Sequence, residues 1–219
     1  MSEIVNAFLL VFAGLFPIVN PLGSAPIFLS LTGDCTQSER NRLAWMVASN
    51  GFCLLLGSLF FGSAILEFFG ITVPVVRVAG GLVVTAMGWR ILNEDSTPPE
   101  RAAVRAAANS TQKRDSFYPL TLPLTVGPGS ISVAITIGSH RPEEATTAHT
   151  LLLAGAAIAG LLAIAATIYV SYRFAAPLAR FLGQGGVNVL IRLSAFILMC
   201  IGIEIIWGGI STLINGLGH

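Results

Sequence analysis

The stretch Pro17-Ile-Val-Asn20-Pro21-Leu-Gly23-Ser24-Ala-Pro26-Ile-Phe28 sits inside one apolar run, and Pro123-Leu-Thr125-Val-Gly127-Pro128-Gly129-Ser130-Ile-Ser132-Val-Ala134 sits inside another. Laid over each other without a gap, they match Pro17 to Pro123, Gly23 to Gly129 and Ser24 to Ser130. Proline removes a backbone donor and clashes with the preceding turn, and glycine accepts dihedrals that a helix does not. Each stretch is therefore expected to interrupt the helix that carries it.

The surroundings of both stretches are apolar enough to be membrane. The 219 residues are 54% hydrophobic and 11% charged, with a mean hydropathy of +0.78, whereas a soluble domain carries roughly a quarter charged residues. Apolar runs cover 4–32, 43–69, 73–93, 117–139, 149–172 and 187–214. Each has the roughly 20 residues that a helix needs to cross the hydrocarbon core. The expected fold is an all-α membrane protein of six transmembrane helices, with helices one and four broken by Pro and Gly and no sizeable soluble domain. A net charge of +1 without a basic stripe excludes a nucleic-acid surface.

A second internal match lays Val76-Arg77-Val78-Ala79-Gly80-Gly81-Leu82-Val83 over Ile191-Arg192-Leu193-Ser194-Ala195-Phe196-Ile197-Leu198, so helices three and six correspond as well. Residues 1–95 and 117–219 then form two three-helix repeats joined by a cytoplasmic linker, 96–116, with a short helix expected through 102–108. An odd number of crossings per half makes the second copy enter from the opposite face, the pattern of an inverted-topology repeat. Cations set the orientation, because cytoplasmic loops are enriched in Lys and Arg. Connections after helices one, three and five carry Arg40, Arg42, Arg90, Arg101, Arg105, Lys113, Arg114, Arg173, Arg180 and Arg192, against Arg77 and Arg141 on the other side. Both termini are expected in the periplasm. The N-terminus has no positive region or cleavage site and reads as a retained first helix rather than a signal peptide.

An unsatisfied backbone group in hydrocarbon costs several kcal/mol, so a break persists only beside protein or a water-filled cavity. Two breaks at equivalent positions point to one shared cavity. Beyond each, a half-helix should start with Ser24 or Ser130 as its N-cap and Pro26 near the first turn. Free N–H groups and the positive dipole end then suit a carboxylate. The expected substrate-binding set is Asn20, Gly23, Ser24, Thr125, Gly129, Ser130 and Ser132. The competing reading is a pair of proline kinks that only shape packing.

Among charges in apolar runs, Glu204 lies mid-helix, where a carboxylate is expensive and marks a functional candidate. It reads as a proton site, as an anchor for a substrate ammonium, or as an acid held neutral or paired for assembly. Arg77 and Arg192 lie near helix starts and can snorkel to the interface, with Glu67 as the expected structural partner of Arg77. Asn50 is expected to bond between helices, and Gly80-Gly81 to permit close packing. His140, His149 and His219 form no metal pattern. Cys35, Cys53 and Cys200 show no paired framework. Neither a phosphate loop nor a nucleophile with its base is present, so no ATPase, enzyme or cofactor site is expected.

The chain resembles the MarC family of bacterial inner-membrane proteins, also classed as the neutral amino acid transporter family. The resemblance runs essentially end to end and is carried by Asn20-Pro21-Leu-Gly23-Ser-Ala-Pro26-Ile-Phe28, Arg77-Val-Ala79-Gly80-Gly81, Pro123-Leu-Thr-Val-Gly127-Pro128-Gly129-Ser-Ile-Ser132 and Gly202-Ile-Glu204. It implies a six-helix permease in the inner membrane for small neutral amino acids such as alanine, glycine or serine, coupled to protons. Membrane lipids and the amino acid are then its partners. Efflux of toxic or antibiotic-like compounds and a channel or non-transporting membrane protein are the alternatives.

Overall fold

The computed structural model describes residues 2–93, 116–139 and 147–217. The linker with its expected short helix lies outside these, as do His140, Arg141 and His219. Every element among the described residues is helical: α1 (Ser2–Val19), α2 (Pro21–Leu31), α3 (Gln37–Phe68), α4 (Val73–Asn93), α5 (Ser116–Thr125), α6 (Pro128–Ser139), α7 (Thr147–Arg173) and α8 (Ala175–Leu217). Helices α3, α4, α7 and α8 are each long and apolar enough to cross a membrane. The pairs α1 with α2 and α5 with α6 each qualify as a span bent at its break, by 42° and 71°. The chain is an all-helical membrane protein, and its two bends fall where the sequence places them.

Local chemistry explains the boundaries. Helix α3 opens with Thr36 and Glu39 capping each other's backbone N–H groups, at 3.3 Å for Glu39 N to Thr36 Oγ1 and 2.8 Å for Thr36 N to Glu39 Oε2, a reciprocal box that satisfies two orphan donors. The buried Arg40 guanidinium donates to the Thr32 and Cys35 carbonyls at 3.0 and 3.3 Å. It thereby neutralises the negative end of α2. Helix α8 is longer than expected, and Gly183 at φ 64° bends it, a left-handed conformation that only glycine adopts without strain.

Many large apolar side chains are exposed, among them Trp45, Phe61, Phe181 and Trp207, as lipid contact requires. Inside, Leu15, Phe28, Val47, Leu55, Leu161, Ile164, Ile168 and Tyr172 form one buried core. The principal packings occur in pairs related by exchanging the halves: α3 on α6 with α7 on α2, α4 on α6 with α8 on α2, and α1 on α7 with α5 on α3. Helices α3 with α7 and α4 with α8 pack on their own counterparts.

The α4–α8 contact is the closest of these and depends on small residues. A Cβ on Gly81 would lie 2.7 Å from the Gly202 carbonyl oxygen, and one on the adjacent Gly80 would strike Ser132 of α6. The pair therefore lets α4 approach two helices at once. Asn50 of α3 donates to Ser116 Oγ of α5 at 3.4 Å, the expected bond between helices. Arg77 departs from expectation. Among the described residues it has no ion pair with the exposed Glu67, and its guanidinium lies over Gly208 of α8, where a missing side chain leaves it room.

Candidate functional site

The first break is a single residue. Asn20 adopts φ 46° and ψ 57°, a left-handed geometry that asparagine tolerates better than most residues. Its side chain accepts from Gly23 N at 3.1 Å, so Asn20 is the N-cap of α2 in place of the expected Ser24. Proline at the first helical position, Pro21, has no N–H to leave orphaned. Ser24 instead donates back to the Asn20 carbonyl at 2.9 Å, and Pro26 falls in the second turn.

The second break is wider. Tyr118 (φ −124°, ψ 128°) and Leu122 (φ −105°, ψ 130°) are extended within α5. Each precedes a proline, whose ring drives the preceding residue out of the helical region. The chain then closes with hydrogen bonds five residues apart, Val126 N to Thr121 O at 2.9 Å and Thr125 Oγ1 to Leu120 O at 2.7 Å. Ser130 is likewise no N-cap of α6, because its hydroxyl donates to Gly127 O at 2.9 Å. With proline at position 128, the N–H groups of Gly129 and Ser130 have no acceptor among the described residues.

Both breaks border one cavity of about 540 Å³, to which α4 contributes Val83 and Met87 and α8 contributes Ala195 and Leu198. Of the residues expected to bind substrate, Asn20, Gly23, Ser24, Thr125, Gly129 and Ser130 line it. Ser132 does not; it donates to the Val76 carbonyl of α4 at 3.0 Å and holds α6 against α4. Glu204 is also outside the cavity, exposed on α8 with its neighbours Ile203 and Trp207. The two glycines serve packing: a Cβ at Gly23 would meet the Asn20 side chain, and one at Gly129 would strike Val84 of α4.

A residue that the sequence reading missed joins the two breaks. Tyr172 of α7 is fully buried, and its hydroxyl lies 3.1 Å from Ser24 Oγ and 2.7 Å from Thr125 Oγ1. Its ring stacks on Phe28 of α2, with centroids 4.3 Å apart. Each hydroxyl has one proton, so two orders are possible. Either Thr125 donates to Tyr172, Tyr172 to Ser24 and Ser24 to the Asn20 carbonyl, or Tyr172 donates to Thr125 and Thr125 to the Leu120 carbonyl. The only signal in the sequence is a tyrosine at the end of an apolar run, which reads equally well as an interfacial anchor.

Arg90 near the end of α4 and Arg192 on α8 also line the cavity, and both are exposed. They mark its rim. Among the described residues no group of His, Cys, Asp and Glu has the makings of a metal site. At the other side of the molecule, His149 Nε2 of α7 lies 2.7 Å from Glu3 Oε2 of α1, tying two helix starts together.

The chain is 30% identical over 205 residues to the inner membrane protein MarC of Escherichia coli strain K12, with 92% of each chain covered. The MarC proteins of strains SMS-3-5 and CFT073 match to the same extent. No solved structure matches. The family model for MarC family integral membrane proteins spans residues 5–214; it takes in both breaks, the cavity between them and Tyr172, and the chain belongs to that family.

Proposed function

We propose that the chain is a secondary transporter of small neutral amino acids in the bacterial inner membrane, with both termini in the periplasm. The observation that carries this reading is the meeting of two broken helices on one cavity, linked by the Ser24, Tyr172 and Thr125 hydroxyls. The Gly129 and Ser130 N–H groups at the start of α6 hold the substrate carboxylate, where the helix dipole favours negative charge. Asn20, Ser24 and Thr125 complete the polar wall, and carbonyls freed by the breaks serve the ammonium group. The paired packing of the halves supports an inverted repeat, whose rocking would expose the site to either side in turn. Arg90 and Arg192 at the rim support its opening on the cation-rich side, the cytoplasmic one under the positive-inside rule.

Glu204 is the candidate for proton coupling, since a carboxylate midway along a membrane-spanning helix is costly and marks a functional position. Its place outside the cavity makes the coupling indirect. Uptake and counterflow of labelled alanine and glycine in proteoliposomes, with and without a pH gradient, test the whole reading. Saturable exchange is expected, with Ser130→Ala impairing it more than it impairs expression. Glu204→Gln should abolish gradient-driven accumulation and spare counterflow. Folded protein that exchanges neither amino acid rules out this substrate class.

One observation favours a second reading. The cavity is roomy for alanine, and Val83, Val84, Met87 and Leu198 give it apolar walls, which suits efflux of a larger amphipathic compound. Competition of such compounds with alanine counterflow separates the two.

A further inference from the structure

We propose that the rim of the cavity is an anion-selecting vestibule centred on Arg192, which admits ligands by a carboxylate or similar monoanionic head before the polar wall engages them. Arg192 stands on the first half of the α8 span and lines the cavity instead of only reaching for the membrane interface. Among the described residues it has no hydrogen-bond or ion-pair partner, and its charge is open to whatever enters. Arg90 of α4 also lines the cavity, and Gly88 lets α4 pack directly on Ala195 and Met199 of α8. Arg90 has bonding partners of its own, so the proposal rests on Arg192.

The rest of the lining leaves the charge of Arg192 uncompensated. Among the described lining residues there is no aspartate or glutamate, and deeper in lies the positive end of α6 with its Gly129 and Ser130 N–H groups. A cleft lined by one sign of charge between apolar walls focuses the field and raises the local concentration of counter-ions. Planar guanidinium groups suit a carboxylate's two oxygens better than a point charge would. The expected ligand is thus an anionic head on a compact, partly apolar body. The vestibule shares its cavity with the transport function proposed above, but its test needs no transport.

In a chain with Cys35→Ser, Cys53→Ala and Cys200→Ala, Asn188→Cys places a thiol on the cavity wall, one helical turn from Arg192. The anionic ethylsulfonate and the cationic trimethylammonium methanethiosulfonates are then compared in neutral phosphatidylcholine nanodiscs. Relative to free cysteine, the thiol should favour the anionic reagent by about tenfold. Arg192→Gln should remove most of that preference, Arg192→Lys should keep much of it, and Arg77→Gln, on a residue away from the cavity, should leave it unchanged. Sodium acetate, compared with sodium chloride at equal ionic strength, should slow the anionic reagent. Phosphatidylglycerol slows the anionic reagent at any exposed thiol through its surface potential, so its effect is compared with and without Arg192→Gln. Equal slowing in the two chains points to a free carboxylate as ligand, and extra slowing that needs Arg192 points to a lipid headgroup. A ratio equal to that of free cysteine, a ratio indifferent to Arg192→Gln, or no reaction with either reagent overturns the proposal. If the ratio behaves as expected while alanine counterflow is absent, the vestibule stands and the amino acid reading falls.

Discussion

The two breaks occupy matched positions in the two halves, yet they are built differently. In the first, one left-handed residue, Asn20, turns the chain by 42° and its own side chain occupies the Gly23 N–H. In the second, two extended residues ahead of prolines and a wide closing turn give 71°, with no side-chain cap and with N–H groups left open. Identical residues consequently do different work. Gly23 makes room for an asparagine that the second half lacks, and Gly129 makes room for Val84 of α4. The first break is closed upon itself, and this is why the proposed function assigns the substrate carboxylate to the second.

The largest test of this difference is to add one methyl group at each glycine. Gly129→Ala drives a Cβ into Val84, which is buried and β-branched and has no free rotamer to move into. Overpacking of this kind costs about 1–3 kcal/mol or more, and here it also pries α4 from the cavity wall. Loss of most flux and a lower unfolding temperature in detergent are expected. At Gly23 the added methyl meets only the end of the Asn20 side chain, which can swing away. Its cost should stay near that of a lost cap, about 1 kcal/mol. Equal effects at the two sites would mean that the breaks are equivalent after all.

Tyr172 tests the link between the two breaks, because it touches both. Removing the whole side chain with Tyr172→Ala should cost about 3–5 kcal/mol, as for other buried aromatics. Tyr172→Phe keeps the stack on Phe28 and deletes only the bridge between Ser24 and Thr125. Those hydroxyls retain bonds to the Asn20 and Leu120 carbonyls, so about 1 kcal/mol is expected, read as a small shift in thermal unfolding. A larger loss of flux than of stability would show that the hydroxyl chain serves the site and not only the fold.

How far the sequence reveals these features follows from their physics. Apolar run length and Pro/Gly chemistry are local properties, so the spans, the bends and the shared cavity at Ser24 and Ser130 can be read from the chain. The caps could not be, since Asn20 and Ser24 both carry side chains able to cap, and the choice depends on where the helix resumes. The roles of Tyr172 and Arg192 were hidden for a different reason. Each lies near the end of an apolar run, where an interfacial anchor looks the same as a residue bridging helices or lining a cavity until the neighbouring helices are placed. Glu204 is conspicuous in the sequence because of its charge, but charge alone does not indicate which way a helix face turns. Ser132 matches the serine pattern of the site and yet bonds to α4, a long-range contact that no spacing encodes.

The smallest effect, and the most discriminating, is expected from Asn20→Gly. Asn20→Ala loses both the side-chain acceptor and the residue's tolerance of positive φ, which together cost about 2 kcal/mol. Asn20→Gly keeps the backbone conformation and gives up only the acceptor, a few tenths of a kcal/mol by comparison with other caps. The glycine variant also frees the Gly23 N–H and so makes the first break resemble the second, without moving either helix. If the carboxylate rests at α6, opening a donor at α2 should change the apparent affinity for alanine in counterflow by less than about twofold, a few tenths of a kcal/mol. Ser130→Ala keeps the N–H but deletes the hydroxyl bond to the Gly127 carbonyl that fixes the turn aiming the α6 donors, and it should weaken the affinity by more. A stronger effect from Asn20→Gly would move the carboxylate to α2, and the closed break would have to be the one that opens when substrate binds.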